Sequence, residues 1–134
     1  MGQTQLLLIT LGIIIAGTAV IVGMNLFQAN AIEANRNGIT NDLLSIANMS
    51  QAHFKKTAQL GGGNRNFQGF TIPKNMQSNE NGDYTVVYLR QDQALFQGVG
   101  KEAVGAGVGC DESQQYVTHR ILVYPDSVRV QIVY

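Results

Sequence analysis

The chain has 134 residues, nine Lys+Arg against nine Asp+Glu, 13% charged and 45% hydrophobic residues, which is enough for one small core. A formal net charge of zero and a pI near 6.7 remove the long-range attraction to phosphate on which dedicated nucleic-acid binders depend. A single cysteine, Cys110, excludes an internal disulfide, and no Cys/His cluster has the ligand spacing of a zinc site. Asn and Gln together number 24, so polarity is carried largely by neutral amides, which can hydrogen-bond in dry contacts without burying ions.

No Asp, Glu, Lys or Arg precedes Glu33, and residues 6–27 read LLLITLGIIIAGTAVIVGMNLF, broken only by the polar side chains of Thr10, Thr18 and Asn25. As a helix these positions reach roughly 33 Å, enough for a hydrocarbon core of about 30 Å. A membrane-inserted helix is expected over residues 3–30. A cleaved secretory signal fits less well, because the segment lacks a basic n-region and exceeds the length of an h-region. N-myristoylation is excluded by Leu6, where that pattern requires Ser or Thr. Within the segment, Gly12 with Ala16 and Ala19 with Gly23 form small-xxx-small pairs. Such pairs let helix backbones approach closely where lipid and side chain are equally apolar.

From residue 31 the pattern becomes amphipathic. Ile32, Ile39, Leu43, Ile46, Ser50 and Phe54 recur at three-, four- and seven-residue steps, with Arg36, Asn41, Asp42, Asn48, Gln51, Lys55 and Lys56 mainly on other faces. A helical extension over 31–60 is expected, stopped by Gly61, Gly62 and Gly63. The rod from Gln3 to Leu60 would then be roughly 87 Å long. The weak helix formers Asn35-Arg36-Asn37-Gly38 predict a kink or local melting.

Residues 61–134 change to short runs rich in β-branched and aromatic residues, at 67–72, 84–90, 94–99, 115–124 and 128–134. Asn79-Glu80-Asn81-Gly82-Asp83 is a turn signal. Pro125-Asp126-Ser127 predicts a hairpin that puts Val128, Val130, Ile132 and Tyr134 on one face. The glycines at 98, 100, 105, 107 and 109 predict a flexible surface segment over 98–109. The fold class expected is α+β, a long N-terminal helix packed against a small C-terminal antiparallel sheet.

Candidate chemistry is sparse. His53 lies near Lys55 and Lys56, and His119 sits inside a predicted strand, neither with a sequence-local carboxylate or thiol partner. Cys110 precedes Asp111 and Glu112, whose charge would raise the thiol pKa. The acidic residues Asp83, Asp92, Asp111, Glu112 and Asp126 do not follow a calcium-loop pattern, and GVGKEAVGAGVG lacks the ending of a phosphate loop. No catalytic residue, metal or cofactor is expected, and the chain is read as a non-enzyme.

A two-residue leader ending in Gly2, an apolar helix rich in Leu, Ile and Val, its amphipathic extension and a C-terminal sheet resemble the type IV pilins and the pseudopilins of type II secretion. The resemblance implies cleavage after Gly2 by a prepilin peptidase and Gln3 as the first mature residue. It also implies an inner-membrane stage, a pilus assembly machinery, and a helical homopolymer at the cell surface. The leader here lacks basic residues, and the fifth mature position, usually Glu in that family, is Leu7. Registration is therefore expected from Gln3, Thr4 and Gln5 and from the small-residue pairs. The alternatives are a minor pseudopilin of a secretion or DNA-uptake system and a single-pass anchored binding module.

Overall fold

In a computed structural model, residues 2–104 and 115–133 are described. A single helix, α1 (Gly2–Lys55, 54 residues), is about 81 Å long at the usual rise. A 3-10 turn (Ala58–Leu60) and a one-turn helix, α2 (Lys74–Gln77), lead into strands β1 (Gly82–Leu89), β2 (Ala94–Val104), β3 (Gln115–Val123) and β4 (Val128–Ile132). The strands form an antiparallel meander in the order β1-β2-β3-β4. The α+β architecture is thus a long N-terminal helix docked through its second half on a four-stranded sheet.

The amphipathic stripe does what its spacing requires. Ile39, Leu43, Ile46, Ala47 and Ser50 are fully buried, facing Tyr84, Ala94, Phe96, Val117, Ile121 and Val123 in one core, and Ile32 and Phe54 pack at its margin. Helix and sheet approach closely because β2 carries glycine beneath the helix. A Cβ on Gly98 would stand 2.8 Å from Ile39 Cγ2 and 2.9 Å from the Tyr84 ring, and one on Gly100 would overlap the Asn35 side chain. The expectation of a flexible segment at 98–109 is therefore corrected for residues 98–104, which are strand. Gly105, Gly107, Gly109, Cys110, Asp111 and Glu112 lie outside the described residues, as do Met1 and Tyr134.

Three further expectations change. First, α1 passes without interruption through Asn35-Arg36-Asn37-Gly38. Asn35 Nδ2 donates to Asn81 O at 2.8 Å, and a Cβ on Gly38 would meet Asn81 Cγ at 2.8 Å, so the loop before β1 braces the stretch where propensity is weakest.

Second, α1 ends at Lys55, short of Leu60. The chain turns back on the helix end, where Gly63 N–H donates to His53 O, Arg65 N–H to Phe54 O and Asn64 N–H to Lys56 O at 2.8–2.9 Å. These bonds satisfy carbonyls that a helix terminus leaves open.

Third, residues 67–72 are not a strand. Phe70 N–H donates to Phe67 O at 3.3 Å around Gly69, whose φ of +84° suits the third position of a tight turn. The apolar residues of this run fill the core instead. Phe67, Phe70 and Ile72 are buried; Phe67 lies tilted against Phe54 with ring centroids 4.6 Å apart, and Phe70 meets Phe96 edge-to-face at 5.7 Å.

The β3–β4 hairpin forms at Pro125-Asp126-Ser127, closed by Tyr124 N–H to Ser127 O at 2.8 Å. Its register puts Ile132, Val130 and Val128 opposite His119, Ile121 and Val123, on the helix side of the sheet. On β4, Val128 packs at the margin of the core, while Val130 and Ile132 remain exposed.

Candidate assembly surface

The first half of α1 leaves the domain entirely. From residue 2 to residue 31 every position is exposed except Gly23, which is half-buried, and the large apolar side chains from Leu6 to Phe27 present more than half their surface. The segment satisfies its own short polar groups. Thr10 Oγ1 donates to Leu7 O and Thr18 Oγ1 to Ile15 O, each at 2.9 Å, so both hydroxyls are turned back onto the helix backbone. The result is a rod of apolar side chains long enough to cross a membrane, with no internal contact to cover it.

The small residues Gly12, Ala16, Ala19 and Gly23 all lie on this uncovered half, and nothing stands within 4 Å of a Cβ built on Gly12 or Gly23. Their spacing leaves shallow notches for a neighbouring helix. Gly2 and Gln3, the positions implied for processing, are helical and exposed in the first turn of α1.

Two polar clasps fix the direction in which the rod leaves the domain. On one flank of α1, Asp42 Oδ2 accepts hydrogen bonds from Tyr84 OH (2.6 Å), Asn81 Nδ2 (2.8 Å) and Asn79 Nδ2 (2.9 Å). Burial alone would raise the carboxyl pKa, but the bonds from Asn81, Tyr84 and Asn79 outweigh it and hold the group below its ordinary value. The Tyr84 hydroxyl is pushed well above its usual range by burial, by that hydrogen bond and by the charge of Asp42.

On the other flank, Thr40 Oγ1 meets His119 Nδ1 at 3.0 Å, and lower down Gln51 Nε2 donates to Tyr124 O at 2.9 Å. Gly98 lies between the two clasps, paired with Tyr84 of β1 on one side and His119 of β3 on the other. Sequence periodicity assigned Asp42, Arg36 and Gln51 to faces away from the core. All three sit at its edges: Asp42 and Gln51 tie helix to sheet, while Arg36 places its charge near His119.

The remaining candidate residues do not converge. His53 packs edge-on against Phe70 with ring centroids 5.7 Å apart, whereas His119 is buried between α1 and the sheet. Among the described residues no group of three His, Cys, Asp or Glu side chains gathers as a metal-binding set. A cleft at the end of the docked helix is lined by Phe54, Lys55, Arg65, Pro125 and Asp126, without a nucleophile and base in contact.

A long apolar helix docked by its second half on a small antiparallel sheet is compatible with the architecture of a type IV pilin. No protein-family model, curated protein or solved structure matches the chain.

Proposed function

We propose that this chain is a non-enzymatic structural subunit that polymerises through its N-terminal helix into a type IV pilus-like filament at the cell surface, with the inner membrane holding the unassembled subunit. The observation that carries this reading is the apolar half of α1, fully exposed yet continuous with a half that is firmly docked. A flexible tether would suffice for anchoring. An uninterrupted helix, clasped on both flanks by Asp42 and Thr40, holds the rod at a set angle to the sheet, which is what a repeating lattice requires of each copy.

In the membrane, lipid covers the rod. In a filament, side chains of other copies cover it, and the change stabilises through packing rather than through transfer from water. Adhesion or motility would then belong to the outer surface of the sheets, and assembly machinery and a prepilin peptidase acting after Gly2 belong to the same proposal. The test is to shear cells, pellet the released material, image it, and identify its N-terminal peptide by mass spectrometry. Thin fibres with this chain as main component, starting at Gln3, are expected. Recovery only from the membrane fraction would overturn the surface-filament reading in favour of a minor pseudopilin or a simple anchored module.

A further inference from the structure

His119 is 2% exposed, its ring buried between α1 and the sheet on the far side of Gly98 from the equally buried Tyr84. Its hydrogen bonding can be worked out from Thr40. The single hydroxyl proton of Thr40 goes to Arg36 O at 2.9 Å, so His119 Nδ1–H is the donor in the 3.0 Å contact with Thr40 Oγ1. Nε2 is then the unprotonated nitrogen, buried and without a hydrogen-bond partner among the described residues. A proton added there would create a buried cation with no acceptor.

The surroundings make that worse. From α1, Arg36 is the charged group acting on the ring, and its own Nε is buried without a partner, while Glu33 one turn earlier is exposed. From β2 the ring faces Gly98, between the uncharged Gln97 and Val99. From β4 it faces Ile132, between Gln131 and Val133. Along β3 the nearest cation, Arg120, is engaged by donating to Gln97 Oε1 at 2.9 Å. No carboxylate balances the ring among these neighbours.

We propose that His119 is an acid-sensitive clasp: protonation of its ring releases the sheet from α1 at Arg36–Thr40, loosening the angle between rod and domain. The direction agrees with the ring's electrostatics, since burial and then the Arg36 charge hold its pKa below the ordinary 6.5. With the folded value depressed, the unfolded form takes up more protons below pH 6.5, so stability from the clasp is complete above that pH and falls as pH drops towards the folded value.

The test uses the full chain in detergent micelles, reading amide-exchange protection over residues 36–47 and 117–123 between pH 7.5 and 5, with the His119 ring followed by NMR and assigned through His53→Gln. Protection in the wild type should fall as pH drops below 6.5, by at most about tenfold per pH unit, the limit for one proton taken up on opening. His119→Gln should abolish the slope, and Arg36→Gln, which relieves the repulsion and orphans no partner, should shrink the total loss. Flat wild-type protection, or an equal slope in His119→Gln, would overturn the proposal. Should His119→Gln fail to fold, an unchanged loss in Arg36→Gln does so. Because the chain is unpolymerised throughout, either result leaves the filament reading to its own experiment.

Discussion

Asp42 concentrates three hydrogen bonds on one carboxylate oxygen, and this decides how the loop before β1 meets the helix. Asp42→Asn keeps the size but removes the charge and at least one acceptor geometry, and should cost about 1–3 kcal/mol as charge-assisted bonds weaken at a partly buried site. The sign with pH comes from the lowered pKa. The contribution is complete above the ordinary carboxyl value of 3.8 and is lost as pH falls through the lower folded value. Thermal melts should therefore show wild type and Asp42→Asn converging in strong acid and well separated at pH 6. The same scale governs Gly98, where alanine must push apart Ile39 and Tyr84. Gly98→Ala should destabilise by about 1–3 kcal/mol by overpacking, read as a lowered denaturation midpoint. Neither site was legible beforehand, because which side chain faces a glycine in β2 depends on the angle at which the helix crosses the sheet.

At the level of elements, α1 and the four strands were legible from periodicity, and their failures are instructive. Residues 67–72 have strand composition, yet the turn at Gly69 and the need to fill space beside Phe54 and Phe96 turn Phe67, Phe70 and Ile72 into core plugs. Asn35-Arg36-Asn37-Gly38 has poor helix propensity, yet Asn81 braces it, a contact made across 46 residues of chain. β2 runs on to Val104 through glycines that read as loop, because pairing with β3 and cover from Asn35 and Ile39 offset what glycine loses in backbone entropy. In each case a tertiary contact overrode a local preference of about 1 kcal/mol or less.

On the scale of the whole molecule, the chain divides its apolar surface between two destinations. The stripe from Ile39 to Ser50 is used inside the molecule, while the surface from Leu6 to Phe27 is left for something outside it. If assembly depends on close helix approach, Gly12→Leu or Gly23→Leu should block polymer while membrane insertion stays intact, since leucine suits lipid and fills the notch. Fractionation and then electron microscopy of sheared material check both halves of that statement. Normal fibres from both variants would rule out small-residue packing as the basis of assembly.

The amino-acid sequence by itself determined the membrane-length helix, its amphipathic continuation and the antiparallel character of the strands beyond it. Those features rest on chain-local properties, namely the apolar run before Glu33, the 3.6-residue period and the turn chemistry of residues 79–83 and 125–127. Only the tertiary structure decided that Gly98 seats Ile39, that Asp42 and Thr40 clasp opposite flanks, and that His119 is sealed beside Arg36. These depend on which residues distant in sequence are brought within hydrogen-bond or van der Waals reach, and that is set by how the helix lies on the sheet.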